Sequence, residues 1–469
     1  MKRFMLVTLF AIVMAMTAAC AQDGGGGAAA PAAPAAEAPA APAAEAPAAD
    51  AGDEAGGGRH ITISTFPRDP VMTENHEADY LIPLQEAFPD DTFEMIVFAD
   101  FRSLQIPLAA GAGPDILHLS IGGPTAAIEL ARGDRILPMD HWSAQYGWAD
   151  IFHEWAYGAG YWQGHLWSLP DTFEGMGIFY NVSILNQMGF SQPPQTKQEL
   201  MDFIHACLDA GIIPVAFGNS DWFGAVDWLY SMFLSNYAGP DALREAVQGT
   251  RSWNDPLIRG SLQMMVDWWQ DGWFTERASQ AITMSDAQMM FVEGRAAMLM
   301  EGSWRGGSLV RLFEEEEGTW IFAPMPGMRP GVDNIVAIAT GSAYSINASA
   351  SDPDFAAEIL NWMFTSVERH RRSVIYNNQQ PYPIQAIDDD FWIGMQPDIA
   401  IMNSVMLDAM ADNRIGWCAW TFFAVSVRNY MNENTDALFM DLITMDEFID
   451  EIQRLSDEAV AAGDIPPFP

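Results

Sequence analysis

Short apolar stretches recur along residues 59–469 and follow the patterns of β-strands. Apolar and polar positions alternate from Ile61 to Phe66 and again at Phe93, Met95 and Val97, which predicts strands with one buried face. Continuous apolar runs predict fully buried strands at 115–119, 177–180, 213–217, 296–300 and 343–346. Because helical patterns separate these strands, the sequence predicts an α/β fold with layered and largely parallel sheets.

Several predicted helices carry explicit start signals. In a capping box the side chains of a Thr or Ser and of a Glu or Gln three residues later satisfy backbone N–H groups that the first helical turn leaves exposed. Pro at the first helical position costs nothing, because its missing N–H has no partner there. These signals predict helix starts at Thr196 to Glu199, Ser285 to Gln288, Thr444 to Glu447, Asp255-Pro256 and Asp352-Pro353.

The first twenty residues have the features of a bacterial export signal. A basic start, Met1 to Arg3, precedes an apolar run over 4–16 and small residues that end at Cys20. The run is too short to span a bilayer permanently, and a Cys directly after small residues is typical of lipoproteins. We therefore predict a signal peptide at 1–19 and a lipid on Cys20; an ordinary secretory signal with an incidental Cys is the alternative.

Residues 20–58 have the composition of a tether. After Cys20 they are almost wholly Gly, Ala and Pro, and they contain no aromatic or branched apolar side chain. Such a segment has nothing to bury that would offset the entropy of ordering it. We predict a disordered linker that holds the folded part near the membrane but outside it.

The rest of the chain, residues 59–469, is longer than one hydrophobic core usually serves, so two domains are expected. The net charge is −40, of which residues 1–58 contribute −4. A surface this acidic repels phosphate, which argues against nucleic acid as a partner. Lys197 is the only lysine after the signal peptide, which favours a salty or acidic exterior. Cys207 and Cys418 are expected to be buried small hydrophobes rather than a disulfide.

Catalytic signatures are scarce in this sequence. It has no Gly-Lys pair for a phosphate-binding loop, no Gly-x-Ser-x-Gly elbow and no CxxC, and its eight His lack the spacing of a helical zinc site. We therefore expect no enzyme activity, no metal and no cofactor. A glycoside hydrolase stays open as the rival, because it needs only two facing carboxylates, and Asp171 and Glu174 lie close together beside a predicted strand.

A series of short motifs runs in a fixed order through the folded chain: Leu108 to Ile116, Gly133 to Asp140, Trp167 to Pro170, Gly177 to Asn181, Phe291 to Met298, Gly302 to Trp304, Pro324 to Gly327 and Ala356 to Met363. Each motif alone is weak, but their order and spacing together are specific. The series resembles that of the family 1 extracellular solute-binding proteins, the maltose-binding-protein-like receptors of ABC importers.

The resemblance implies a two-lobed periplasmic-binding-protein fold of type II, often called a Venus flytrap, with a ligand cleft between the lobes. It implies three crossovers between the lobes, and the sequence offers 169–174, 331–336 and 377–383. Lobe 1 would then hold residues 59–170 and 336–378. Lobe 2 would hold residues 175–330 and 383–469.

The resemblance also implies a set of ligand-binding residues. Trp304, in Gly302-Ser303-Trp304, matches the family's sugar-stacking Trp, and an indole face complements the C–H face of a pyranose. Glu174 has the spacing of the family's sugar-binding Glu and would accept hydrogen bonds from hydroxyls. Asp221 and Trp222 stand where relatives place an acid and an aromatic residue in the cleft.

Further positions are expected at the same cleft. Phe66, at the end of the first strand, and Ser342 point toward it by family analogy. Ser120 lies in a stretch where the maltose receptors have a Trp and an Asp, so maltose itself is not expected. Trp417, with Trp420, either forms a second stacking platform or lies in the core.

These features together predict a monomeric, lipid-anchored, extracytoplasmic receptor, in a periplasm or on a cell surface. It would capture a mono- or oligosaccharide by lobe closure and deliver it to an ABC permease. The alternatives are a receptor for a polyamine or a peptide, a secreted glycoside hydrolase, and a surface adhesin that binds polymer without closing.

Overall fold

A computed structural model describes residues 58–66, 77–119, 122–377, 380–466 and 468. The predicted signal peptide, the lipidation site Cys20, the tether up to residue 57 and the candidate Ser120 lie outside the described residues.

The described residues form thirteen strands: β1 His60–Thr65, β2 Thr92–Val97, β3 Ile116–Leu119, β4 Tyr161–Trp162, β5 His165–Leu166, β6 Leu169–Pro170, β7 Glu174–Asn181, β8 Ile213–Ala216, β9 Ala296–Gly302, β10 Trp320–Ala323, β11 Val336–Ala339, β12 Ala343–Ile346 and β13 Ile415–Trp417. All seven strands predicted from the apolar pattern are present, within about two residues at most ends and three at the start of β7.

The α-helices of the described residues are α1 Ile82–Ala87, α2 Phe101–Ala109, α3 Gly123–Arg132, α4 Asp140–Tyr146, α5 Glu154–Ala159, α6 Val182–Gln187, α7 Lys197–Asp209, α8 Val226–Phe233, α9 Pro240–Val247, α10 Pro256–Gln270, α11 Met284–Val292, α12 Arg305–Leu312, α13 Pro353–Thr365, α14 Val367–Asn377, α15 Pro397–Ala411, α16 Ala419–Phe422, α17 Val425–Phe439 and α18 Met445–Ala462. Short 3-10 or π-helical turns lie at Glu77–Leu81, Trp148–Asp150, Phe223–Ala225, Leu234–Ala238, Thr275–Arg277, Ser279–Ala281 and Asp389–Trp392.

Two sheets organise these elements into two α/β lobes. The sheet of lobe 1 has the strand order β2-β1-β3-β12-β6, and the sheet of lobe 2 has the order β13-β11-β7-β9-β8, with β10 also paired to β7. A separate hairpin joins β4 to β5. In lobe 1, successive residues Ile116 and Leu117 of β3 belong to different apolar clusters, because alternate side chains point to opposite faces of the sheet.

Both sheets are mixed, which corrects the prediction of largely parallel sheets. β1 is parallel to β2 and β3, but β12 is antiparallel to both β3 and β6. In lobe 2, β7 is antiparallel to β9, β10 and β11. The reason is topological. Parallel neighbours need a crossover connection within one sheet, but a strand that enters from the other lobe has no such connection and can pair antiparallel.

The helix starts follow the sequence signals in all but one case. Thr196 and Thr444 form complete capping boxes with Glu199 and Glu447. The box predicted from Ser285 is wrong, because the Thr283 side chain caps α11 by accepting a hydrogen bond from the Asp286 N–H.

The predicted return of the chain to lobe 1 at residue 336 also needs correction. β11 pairs with β7 and β13 and is therefore a lobe 2 strand. The Pro- and Gly-rich stretch before it looks like a crossover in sequence, but it folds back within lobe 2, where Met325 pairs with Ile335. The chain returns through 340–342. The predicted start of the last lobe 2 segment at 383 is also too early, because Ile384 pairs with Phe152 and lies in an apolar cluster of lobe 1.

Candidate functional site

Two crossover segments, 171–173 and 340–342, run side by side between the lobes. The Asp171 N–H donates to the Ser342 carbonyl at 3.0 Å, and the Gly341 N–H donates to the Thr172 hydroxyl at 3.0 Å. The Phe173 N–H donates to the Pro381 carbonyl at 2.7 Å, which ties the third chain passage to the first. We call 171–173 and 340–342 together the hinge.

Glu174 lies directly after the hinge, as the first residue of β7. Its Oε1 accepts a hydrogen bond from the Thr172 hydroxyl at 3.0 Å, and its Oε2 accepts one from the Trp420 indole N–H at 3.2 Å. The side chain is buried, with 8% of its surface exposed. The carboxylate is thus positioned by the hinge on one side and by an aromatic residue of lobe 2 on the other.

Gly341 allows the hinge to pass close to this carboxylate. A Cβ atom built on Gly341 would lie 2.2 Å from one Glu174 carboxylate oxygen and 2.3 Å from the other. Any side chain at position 341 would therefore displace Glu174, so the glycine is required by close approach.

Four indoles form a continuous row that begins beside Glu174. The ring centroids of Trp420 and Trp304 are 5.6 Å apart, those of Trp304 and Trp228 are 5.7 Å apart, and those of Trp228 and Trp222 are 5.9 Å apart. Neighbouring rings are tilted or edge-to-face, the geometry that aromatic quadrupoles prefer. We call Trp222, Trp228, Trp304 and Trp420 the indole row.

Trp304 is fixed in this row by its local sequence. Its indole N–H donates to Glu301 Oε1 at 3.3 Å, and Glu301 is buried and also forms an ion pair with Arg305. The ring lies back over Gly302, where a Cβ would come within 2.0 Å of ring carbons. The motif Gly302-Ser303-Trp304 therefore places a half-buried indole at the carboxyl end of β9.

Trp222 is the exposed end of the indole row, with 38% of its surface accessible. A Cβ on Gly224 would lie 2.3 Å from the Trp222 ring, so this indole too rests on a glycine. The adjacent Asp221 is exposed and accepts a hydrogen bond from the Met284 N–H at 3.1 Å, at the start of α11. Asp221 therefore lies at the exposed end of the row, in lobe 2.

Ser342 is a hinge residue rather than a neighbour of the indoles. Its hydroxyl donates to Asp171 Oδ2 at 2.7 Å, and the same oxygen lies 2.9 Å from His118 Nε2. The His118 ring stacks on Tyr344 with centroids 4.5 Å apart. This buried group ties the hinge to the sheet of lobe 1.

The structure separates two other candidates from the indole row. The Trp417 side chain is buried against Phe422 and Phe468, and its indole N–H donates to the Pro240 carbonyl at 3.1 Å. Phe66 is buried in a lobe 1 cluster next to Phe98. Neither has a contact with the row among the described ring pairs.

Sequence reasoning missed part of the row. Trp228 was not predicted, and Trp420 was considered only together with Trp417. A usable signal exists for Trp228, because a one-turn helix at Phe223–Ala225 leads straight from Trp222 into α8. No comparable signal marks Trp420, since only the fold brings α16 beside Glu174.

The arrangement is suited to binding an uncharged, hydroxyl-rich guest. Indole faces offer apolar area with little conformational freedom to lose, and carboxylates accept hydrogen bonds from hydroxyls. Arg305 pairs with Glu301 beside Trp304 and offsets the charge of that carboxylate. Within the described ranges, no group of three His, Cys, Asp or Glu side chains is arranged to hold a metal ion.

Comparison with known families decides the class of protein. The model of the family described as "Bacterial extracellular solute-binding protein" matches residues 75–368, more than half of the chain. The chain belongs to this family. As a member, it acts outside the cytoplasm, and it is a solute-binding protein of ABC transport. None of the curated proteins matches it in sequence.

Solved structures of similar fold share little sequence with this family member. A chitin oligosaccharide binding protein is 20% identical with a TM-score of 0.72, and the match covers 86% of this chain and 99% of that one. An ABC transporter solute-binding protein from Thermotoga lettingae, bound with α-D-tagatose, is 17% identical with a TM-score of 0.68, over 86% and 100% of the chains. The maltose-bound T. maritima MalE3 is 20% identical with a TM-score of 0.67, over 85% and 99%. At these identities the likeness shows the two-lobed fold.

None of the helices in the described residues combines the length and the apolar character needed to cross a bilayer.

Proposed function

We propose that this protein captures a neutral carbohydrate, a mono- or oligosaccharide, between its two lobes and delivers it to an ABC permease. The observation that carries the proposal is the indole row, which runs from exposed Trp222 through half-buried Trp304 to the Trp420–Glu174 hydrogen bond. The ligands of the structural relatives, chitin oligosaccharide, tagatose and maltose, belong to the same chemical class.

Within this proposal each side chain has a separate task. Trp304 stacks on a sugar ring, because it is half-buried and held by Glu301 at its N–H. Glu174 accepts hydroxyl hydrogen bonds, and Asp221 and Trp222 extend the site toward solvent. Ser342 contributes through Asp171 and the hinge. Phe66 and Trp417 support the lobes from within their cores.

Capture would work by lobe closure. A guest that touches the indole row of lobe 2 and the facing edge of lobe 1 binds the closed form more tightly than the open form, and so shifts the population toward closure. Glu174 connects the two events, because the same carboxylate contacts the hinge residue Thr172 and the site residue Trp420.

We further propose that the protein binds its ligand without catalysing a reaction on it. The two carboxylates that a glycosidase would need are engaged internally, Asp171 with His118 and Ser342 and Glu174 with Thr172 and Trp420. A release assay tests this point: no new reducing ends should appear from oligosaccharides that the protein binds. Steady release that stops on Glu174→Gln would show a glycosidase instead.

The lipid anchor is also part of the proposal. Cys20 would carry the acyl chains, and residues 21–58 would keep the folded part close to the permease. Replacing Cys20 with Ser should move the protein from the membrane fraction to the soluble extracytoplasmic fraction. Retention in the membrane fraction would contradict anchoring through this residue.

The test of ligand class is calorimetric titration with a panel of neutral mono- and oligosaccharides, a polyamine and a short peptide. We expect binding in the sugar arm and an affinity loss of about fivefold or more in Trp304→Ala, since removing a stacked aromatic costs about 1–3 kcal/mol. Trp273→Ala is the matched control, because Trp273 is also partly buried but packs against Trp268 and His205 away from the row. Equal affinities of both variants and the wild type would refute the stacking role.

A further inference from the structure

The chain ends in a short tail that packs against lobe 2 after α18. Gly463 ends α18 in the left-handed conformation, with φ of 71°, and redirects the chain. Ile465 packs against the lobe 2 core, and the Phe468 ring lies 5.3 Å from Trp417 and 5.0 Å from Phe422. Ile465 and Phe468 thus attach the tail to lobe 2, next to α16.

Between the end of α18 and Ile465, Asp464 reaches a residue of lobe 1. The Arg132 Nη2 atom lies 2.5 Å from Asp464 Oδ1, and both side chains are partly exposed. Arg132 is the last residue of α3, which follows the lobe 1 strand β3 and packs against β12 and β6. The ion pair therefore joins the two lobes.

Lobe 1 holds Arg132 in place for this contact. Its guanidinium lies 5.4 Å from the centroid of the Trp162 ring, in the β4–β5 hairpin, a distance suited to a cation–π interaction. Arg132 is thus pinned by an aromatic residue of its own lobe while it pairs with an acid of the other. A pinned side chain loses less freedom on pairing than a mobile one.

Helix α3 also packs against α16 of lobe 2. Burial raises the pKa of Glu129, one turn before Arg132, while the charges of Arg132 and of Arg428 in α17 lower it. Arg428 is itself held by buried Asp227, at 2.6 Å between Nε and Oδ2. Charges therefore alternate across the contact, with Glu129 and Arg132 on lobe 1 and Arg428 and Asp464 on lobe 2.

We propose that the C-terminal tail is a clasp, in which Asp464 pairs with Trp162-supported Arg132 to hold the lobes in the closed arrangement. Hinge opening separates α3 from the tail and breaks the pair, so the clasp raises the closed population before any solute binds. In a chain of net charge −40, closure brings acidic surfaces together, and a cation at the lobe boundary offsets part of that repulsion. The clasp presupposes that the lobes open and close, as in the proposed function, but it does not depend on the identity of the solute.

The test measures the distance between the lobes without any sugar, so a failure of the sugar proposal leaves it intact. Spin labels are placed on exposed Glu86→Cys in lobe 1 and Gln198→Cys in lobe 2, in the full chain with Cys20→Ser. The native thiols do not compete, because burial raises the pKa of Cys207 to about 12 and the pKa of Cys418 well above its ordinary value. Pulsed electron resonance then gives the open and closed populations.

We expect Arg132→Gln and Asp464→Asn each to shift the closed-to-open ratio several-fold toward open, and the double variant to shift it no further. Salt at about 1 M screens the ion pair as well as the repulsion between the acidic lobes, so it should narrow the difference in closed population between the wild type and the variants. Asp241→Asn is the control, since Asp241 pairs with Arg244 within one helix of lobe 2.

Two results would overturn the clasp. One is that Arg132→Gln and Asp464→Asn both give the same distribution of inter-lobe distances as the wild type. The other is failure of the charge-reversed pair, Arg132→Asp with Asp464→Arg, to restore any of the closed population that Arg132→Asp alone loses. If the single reversal unfolds the chain, the neutral variants above still decide the question.

Discussion

At the scale of single residues, close approach of glycine backbones to functional side chains shapes the site. Gly341 faces the Glu174 carboxylate, and Gly302 lies under the Trp304 ring. The sequence predicted Trp304 and Glu174 through motif resemblance, and both lie beside Trp420 in the structure. Local sequence patterns could not predict that residues 174, 304 and 420 are neighbours, because they come together only through tertiary structure.

Gly341→Ala tests the contact between the hinge and Glu174. The new Cβ would overlap both carboxylate oxygens, so the side chain must move, and overpacking of this kind costs about 1–3 kcal/mol. We expect sugar affinity measured by calorimetry to fall several-fold, because the displaced carboxylate can no longer accept the same hydrogen bonds from sugar hydroxyls. Gly158→Ala is the control, because no atom lies within 4 Å of its added Cβ. Unchanged affinity in Gly341→Ala would show that Glu174 does not contribute to binding.

His370 predicts a pH dependence of stability. Burial lowers the pKa of His370 well below 6.5, and the positive charge of Arg369 lowers it further. The neutral ring accepts a hydrogen bond from the Tyr382 N–H at 2.8 Å. The unfolded chain therefore binds a proton that the folded chain does not, so this contribution to stability is present above pH 6.5 and is lost as the pH falls below it.

The His370→Gln variant keeps a hydrogen-bond acceptor but removes this titration. We expect the free energy of unfolding, measured with urea, to fall less steeply from about pH 7 to pH 5 in the variant than in the wild type. Parallel pH profiles for the two proteins would contradict the assignment.

At the scale of elements, local signals predicted what local forces determine. The strands from β1 to β12 that have strong apolar runs were predicted, and so were the helix starts at Thr196 and Thr444. The hairpin strands β4 and β5 were missed, and so were β6, β10, β11 and β13, which have four residues or fewer. The pairing partners of these last four strands lie far away in the sequence, and pairing is what makes them strands.

Thr444→Ala tests the capping box of α18, the helix that leads into the C-terminal tail. The Thr444 hydroxyl accepts a hydrogen bond from the Glu447 N–H at 3.2 Å, and Glu447 Oε2 accepts one from the Thr444 N–H at 2.8 Å. Losing the cap should lower the free energy of unfolding by about 0.5–2 kcal/mol in urea denaturation. Ser404→Ala, at an exposed position inside α15, should change it by less than about 0.5 kcal/mol. Equal effects would show that the box does not stabilise the helix.

At the scale of the whole molecule, two lobes meet at a hinge, and the elements beside the hinge are those of the site. The sequence predicted this architecture through the order of its motifs. It placed the return of the chain to lobe 1 at residue 336, before the observed crossing at 340–342. That shift arose because a Gly- and Pro-rich loop has the composition of a linker wherever it lies. Whether such a loop crosses between lobes depends on which sheet accepts the next strand, and here β11 joins lobe 2.

The most direct measurement of the central claim is X-ray scattering of the protein with and without the sugar that binds best in calorimetry. If solute is captured between closing lobes, the bound protein should have a smaller radius of gyration, and Trp304→Ala should need more sugar to reach the same change. Identical scattering curves at full occupancy would show that the sugar binds without lobe movement, as in a surface adhesin, and would contradict the account.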